Sequence, residues 1–130
     1  MDGLKAINDT YGHRAGDAAI KRVSTKIVSC IRKIDIAARY GGDEFAVILP
    51  NTTLEDAKVV AERMVKEVAE KPVMWDQNRI PLSISIGVGQ YDGNMTPDEI
   101  TKCSDAALYA AKKSGKNTVR IFEETTQPVV

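Results

Sequence analysis

With 130 residues, 18 basic and 18 acidic side chains and a formal net charge of zero, the chain has the size of one domain with a real core. It carries no global field that would recruit nucleic acid or a membrane surface, so any anion site must be local. No apolar run is long enough to span a bilayer, and aromatics make up only 5% of the residues, too few for the stacking platforms of single-strand binders. The two cysteines, Cys30 and Cys103, belong to no CxxC pair and each falls on the apolar face of an expected helix. They read as reduced core residues of a cytoplasmic protein.

Met1 to His13 contains Asn8-Asp9-Thr10-Tyr11-Gly12-His13 and reads as an ordered loop. A helix is expected from Gly16-Asp17, with Asp17 near its N-cap and Ile20, Val23, Ile27, Cys30 and Ile31 at helical spacing. Two β-like runs, Ile34–Tyr40 and Phe45–Leu49, then flank Gly41-Gly42, which predicts a tight hairpin whose glycines are free to take positive φ. Thr52 or Thr53 caps a second helix with Glu55 and Asp56 in its first turn, and Lys71-Pro72 stops it. Val73–Trp75 is a short strand and Asp76–Asn78 a turn, while Leu82–Val88 alternates as a strand with Leu82, Ile84, Ile86 and Val88 on one face. Gly87, Gly89 and Gly93 do not meet the dinucleotide-loop spacing. Thr96-Pro97-Asp98-Glu99 starts a third helix, Gly115 ends it, and Thr118–Phe122 is a last strand before a polar tail. The resulting order, helix, strand, strand, helix, strand, helix, strand, suits an α+β sandwich with helices on an antiparallel or mixed sheet.

Three polar clusters could carry chemistry. Lys5, Asn8 and Asp17 offer donor and acceptor edges suited to a purine, although Asn8 and Asp17 taken singly read first as turn and helix caps. Asp43 and Glu44 follow the glycine turn, where adjacent carboxylates can hold a divalent cation or simply form a solvated hairpin tip. Lys112, Lys113 and Lys116 lie at the end of the last helix, where cations also favour the helix dipole. A single histidine, His13, leaves no histidine-rich metal site or Ser-His-Asp triad.

Taken together and in order, these blocks resemble the GGDEF domain of bacterial diguanylate cyclases, enzymes that condense two GTP into cyclic di-GMP and release pyrophosphate. The likeness runs through Asp2–His13 with Gly16-Asp17, Arg39–Phe45, Ser83–Val88 and Ser104–Lys112, and closes at Gly115-Lys116-Asn117. It implies a ferredoxin-like, palm-type α+β sandwich, helices packed on a mainly antiparallel sheet around a central hairpin. It further implies that Asn8 and Asp17 hold guanine, that Lys5, Lys112 and Lys116 face the phosphates, and that Gly41 and Gly42 leave room for nucleotide. Asp43 and Glu44 would be the catalytic carboxylates and ligands of Mg²⁺ or Mn²⁺, with Lys112 beside them. One GTP per domain requires a homodimer meeting face to face, at least transiently. Arg32 and Asp35 match the family's inhibitory RxxD motif, so product inhibition by cyclic di-GMP is expected.

The pattern is departed from in three places. Lys116 stands where the family usually has Arg, and Leu4 replaces the usual Phe. The resemblance also implies a strand before Asp2 that delivers a further Asp to the metal. Residues 1–122 are accordingly expected to be a GGDEF domain lacking its opening helix and first strand, with 123–130 as a tail, within a longer reading frame or with another strand filling the gap. The alternative to a diguanylate cyclase is a catalytically impaired module that binds GTP or cyclic di-GMP as a regulatory or receptor domain.

Overall fold

In the computed structural model, which describes residues 1–123, the opening stretch is helical and not a loop. Helix α1 spans Leu4–Tyr11, entered through Gly3 at φ 72° and left through Gly12 at φ 95°. Leu4, Ile7 and Tyr11 recur at helical spacing inside a segment whose Asn, Asp and Thr residues look loop-like, and burying Ile7 decides in favour of the helix. Helix α2, His13–Ser29, begins four residues before Asp17, with Gly12 as its N-cap. Asp17 is therefore a side chain of the second turn and not the cap. Ala15, Ala19, Ile20, Val23 and Ile27 form the buried stripe, and Cys30 closes it just past the last turn.

The hairpin forms as expected, from β1 (Ile36–Gly41) and β2 (Glu44–Ile48) in antiparallel register. Its turn differs in detail, because neither Gly41 nor Gly42 lies in the left-handed region. The register instead shifts between Arg39 and Gly41, and this bulge absorbs the twist that a positive-φ turn would otherwise supply. Thr53 caps α3 (Leu54–Glu70), accepting from the Asp56 N–H at 3.1 Å, and Lys71-Pro72 ends the helix. A second hairpin follows, β3 (Val73–Trp75) with β4 (Asn78–Ile80), joined by Asp76 and Gln77 at φ 45° and 67°. Strand β4 has no signal in the sequence, since an Asp-Gln turn carries no glycine to mark it.

Only the last residues of the expected Leu82–Val88 strand join a ladder. Strand β5, Ile86–Val88, pairs in parallel with β6, Val119–Ile121. Ahead of it Leu82 and Ile84 are buried as the alternation predicts, but the Ser83 carbonyl takes the Asp2 N–H at 3.0 Å in place of a strand partner. The three strand pairs β1-β2, β3-β4 and β5-β6 consequently remain separate two-stranded sheets among the described residues, which corrects the expectation of one mainly antiparallel sheet to an α+β fold of four helices and small sheets.

Helix α4, Pro97–Lys113, starts with the expected capping box: Thr96 Oγ1 accepts the Glu99 N–H at 3.2 Å. Its small residues Ala106, Ala107 and Ala111 let it lie directly on β5, where Gly87 has no room for a side chain. A Cβ there would come within 2.2 Å of the Leu108 nitrogen and 2.3 Å of the Ser104 carbonyl oxygen. Gly87 thus serves packing. The main core joins Val23 and Ile27 of α2 to Met64 and Val68 of α3, Val73 and Ile80 of the second hairpin, and Leu82 and Ile84. Fully buried Ile80, Val23 and Val68 each contribute about 1.5–3 kcal/mol of apolar burial. Beyond Glu123 the expected tail lies outside the described residues.

Candidate functional site

Three chain segments converge on the first two residues. The Met1 amine donates to the Asp43 carbonyl at 2.8 Å, which fastens the hairpin turn to the start of the chain. Burial pushes the pKa of that amine below the usual α-amino value, and it also feels Asp2, Asp43, Lys112 and Glu44, so the two acidic turn residues and the lysine of the last helix share its surroundings. Asp2 accepts the Asn117 N–H at 3.2 Å, which brings the turn bearing Lys116 to the same place. The sequence places these groups up to 115 positions apart; the fold assembles them.

Each segment has a local reason for its shape. At the hairpin tip Arg39 Nε and Nη2 donate to the Gly42 carbonyl at 3.1 and 2.6 Å, pinning the turn that presents half-buried Asp43 and exposed Glu44. A Cβ added at Gly41 or Gly42 would meet no atom within 4 Å, so the turn is open to a ligand. At the end of α4 the Gly115 N–H donates to the Lys112 carbonyl at 3.4 Å and the Lys116 N–H to the Ala111 carbonyl at 3.2 Å. This is a Schellman closure with Gly115 at φ 114°. Lys113 Nζ lies 5.4 Å from the Tyr109 ring centre, so of the three lysines it is Lys112 and Lys116 that remain for the turn.

The α1–α2 contact sets Asn8 against Gly16, the residue that precedes Asp17. A Cβ on Gly16 would fall 1.8 Å from Asn8 Oδ1 and 2.9 Å from its Cγ. Lys5 lies one turn before Asn8 on the same helix face and is exposed. The N-terminus of α1 has no side-chain cap, so its first N–H groups, those after Gly3, are free to meet an anion.

The donor set at the tip bears on metal binding. Among the described residues no three His, Cys, Asp or Glu side chains form a ready cage, and Asp43 and Glu44 are what the turn offers. Magnesium bound with phosphates uses one or two protein carboxylates and fills its octahedron with phosphate oxygens and water. The pair therefore fits Mg²⁺ or Mn²⁺ carried in with a nucleotide.

Arg32 and Asp35 form a separate and more finished site. The Asp35 carboxylate takes the Arg32 N–H at 2.7 Å and its Nε and Nη2 at 3.2 and 2.9 Å, a forked pair. Arg32 Nη2 also donates to the Pro50 carbonyl and Thr52 Oγ1, both at 2.9 Å. The Asp35 side chain is 2% exposed and that of Arg32 54%, so the guanidinium covers the acid and still faces solvent. The pair raises the Arg32 pKa and holds the Asp35 carboxyl below its usual range, in both cases chiefly through their side-chain hydrogen bond. A groove of about 190 Å³ adjoins them, lined also by Cys30, Asn51, Asp56 and Arg63. It does not include the acidic turn. Burial, and then Glu67, which accepts from Sγ at 3.4 Å, push the Cys30 thiol pKa up.

Three residues at these sites escaped sequence reasoning. Asp2 is the hub of the first site, Gly16 makes room for Asn8, and Arg63 lines the groove from α3. Gly16 stood beside a singled-out residue and was legible in principle, whereas Arg63 looks like any solvated helix charge.

Comparison with known proteins bears on the family and the fold. The family profile "Diguanylate cyclase, GGDEF domain" matches residues 1–118. Diguanylate cyclase A of Treponema denticola is 47% identical over 122 residues, covering 93% of this chain and 33% of that protein. The response regulator PleD of Caulobacter vibrioides is 41% identical over 122 residues, covering 92% and 27%. The chain thus spans about a third or less of these relatives' length. The crystal structure of the GGDEF domain of DgcB from Caulobacter crescentus in complex with c-di-GMP superposes with a TM-score of 0.89 at 31% identity, covering 95% of this chain and 74% of that one. That of the diguanylate cyclase SiaD of Pseudomonas aeruginosa in complex with its activator SiaC does so at 0.88 and 33%, covering 92% and 46%. From its ordered motifs, its fold and the match of residues 1–118, the chain belongs to the GGDEF family of diguanylate cyclase domains.

Proposed function

We propose that this chain condenses two GTP into cyclic di-GMP and pyrophosphate, one GTP per domain across a homodimer, and that the product inhibits it at Arg32 and Asp35. The observation that carries the reading is the convergence at Met1-Asp2 of the acidic turn, Lys112 and the Lys116 turn. Such a grouping offers carboxylates beside cations, which is what transfer of a nucleotidyl group asks of a protein.

In this reading Asn8 and Asp17 hydrogen-bond the guanine, Asp17 taking its N1 and N2 donors. Lys5, Lys112 and Lys116, with the first N–H groups of α1, neutralise the triphosphate. The open glycine turn lets the nucleotide lie against Asp43 and Glu44, where a carboxylate assists removal of the 3′-hydroxyl proton. The freed oxygen attacks the α-phosphorus of the GTP on the facing domain, and the bond to pyrophosphate breaks. Mg²⁺ or Mn²⁺, held by Asp43 and Glu44 together with the phosphates, supplies charge neutralisation when bound. Residues 1–122 form the working domain.

A second reading is favoured by the groove beside Arg32. It is a defined concavity whose Arg32 guanidinium is held by four acceptor atoms, and Arg63 gives it a second guanidinium for a guanine edge or phosphate. A domain that binds cyclic di-GMP there without making it would act as a receptor.

Quantifying cyclic di-GMP and pyrophosphate from GTP and Mg²⁺ separates the two. Turnover abolished by Asp43→Asn supports the cyclase. Cyclic di-GMP binding lost in Arg32→Ala, with no product formed by the unaltered chain, supports the receptor. Binding of neither nucleotide would overturn both.

A further inference from the structure

We propose that Asp2 is a positioning residue that aims the phosphate-binding turn at Lys116, a role that rests on the nucleotide reading above. Its carboxylate joins three segments. Ser83 Oγ donates to Oδ2 at 2.8 Å, and Ser85 Oγ to Oδ1 and Oδ2 at 2.8 and 3.1 Å. The Asn117 N–H donates to Oδ2 at 3.2 Å from the turn after α4. The Asp2 N–H returns a bond to the Ser83 carbonyl at 3.0 Å.

The turn needs such a holder. Lys116 and Asn117 stand at φ 64° and 50°, a region that residues with a side chain seldom enter, Lys less readily than Asn. The Lys116 N–H is fixed by α4 through the Ala111 carbonyl, and the next N–H along the chain lands on Asp2. Two successive amides held in this way fix the direction in which the Lys116 side chain leaves the backbone. A lysine on an unheld turn would keep its charge and lose its aim, and aim is what positioning catalysis depends on. The serines hold the holder. Their spacing alternates with buried Leu82 and Ile84, so both hydroxyls reach the same side of the extended stretch and grip the carboxylate. Because Asp2 also leads into α1, it ties the phosphate turn to the helix that carries Lys5 and Asn8.

Asp2→Asn in the 130-residue chain keeps the volume and turns one acceptor into a donor, so the donors from Ser83, Ser85 and Asn117 cannot all be retained. We expect GTP to bind about tenfold more weakly, guanosine to change less than about twofold, and the Asn117 amide to exchange its hydrogen about tenfold faster. The Ser83→Ala, Ser85→Ala double variant should move GTP affinity and Asn117 exchange the same way by about threefold. Should Asp2→Asn fail to fold, that double variant and Asn117 exchange in the unaltered chain decide the matter. Equal losses for guanosine and GTP would reduce Asp2 to a general structural role and overturn the proposal, as would Asn117 exchanging like an open turn in the unaltered chain. If the unaltered chain binds no GTP while Asn117 is protected, it is the nucleotide reading that has failed, and the role for Asp2 falls with it.

Discussion

Substituting Gly16 by alanine should leave the fold standing and disable base recognition. Gly16 is buried inside α2, outside the left-handed region, so alanine suits its backbone and gains about 0.8–1 kcal/mol of helix propensity. The new Cβ would fall 1.8 Å from Asn8 Oδ1, the far end of a side chain that can swing away, while Leu4 Cδ1 at 3.3 Å needs to give only slightly. Small strain against a small propensity gain predicts a net stability change within about 1 kcal/mol. Asn8, once displaced, would lose the contact with guanine proposed for it, and a side-chain-to-base contact worth about 1–3 kcal/mol corresponds to roughly 5- to 150-fold in affinity. Chemical unfolding of both proteins, beside titration with GTP and with ATP, separates the two effects: GTP affinity should fall and its margin over ATP narrow. Unchanged GTP affinity in Gly16→Ala would falsify the placement of Asn8 against the base. A stability loss of several kcal/mol would instead refute the packing described between α1 and α2.

Gly87→Ala is the contrasting case: its Cβ meets backbone atoms of α4 at 2.2 and 2.3 Å, so about 3 kcal/mol of stability should be lost, visible as an early thermal transition. Asp43→Asn should lower turnover by about 10²- to 10⁴-fold with an unfolding curve like that of the unaltered chain, and a chelator should abolish product formation in both. The Arg32–Asp35 pair predicts an acid-sensitive contribution to stability. Because Asp35 has its folded pKa depressed, the stabilisation is complete above the ordinary carboxylate value of about 3.9 and is lost as pH falls through the lower folded value. The stability difference between the unaltered chain and Asp35→Asn should therefore be constant from neutral pH to about pH 5 and shrink below about pH 4, and a difference that grew in acid would sink the assignment. Removing the Thr53 cap with alanine should destabilise by about 1 kcal/mol in urea unfolding, without altering GTP affinity.

What the sequence made legible follows from how local each cause is. The caps at Thr53 and Thr96, the stop at Lys71-Pro72 and the first hairpin depend on neighbours within a few residues, and all stand where the pattern put them. Helix α1 was hidden because Asn8, Asp9 and Thr10 favour turns locally, while the burial of Ile7 against α2 is a tertiary fact. The Leu82–Val88 alternation read the burial of Leu82 and Ile84 correctly but not that of buried Ser85 or half-buried Ile86 and Val88, and it misread the ladder, since alternation says nothing of what lies alongside. At the site Asp43, Glu44, Lys112 and Lys116 each had an ordinary local reading, as hairpin tip or helix end, and only the resemblance to the family grouped them in one expected role. Their meeting at Met1-Asp2 was not legible, nor was the hub role of a carboxylate whose partners lie 81, 83 and 115 positions away.

The open turn at Gly41-Gly42 has an implication for how such a domain can change. Its backbone does not require glycine and its surroundings within the chain would accept a methyl group, so nothing inside the folded chain calls for a bare turn. Folding is blind to these two positions. A mutation there alters only what the domain does to its ligand, leaving the core at Ile80, Val23 and Val68 and the groove at Arg32 as they were. If the proposed synthesis at this turn and binding at Arg32 hold, a small substitution here would separate the two without touching the core.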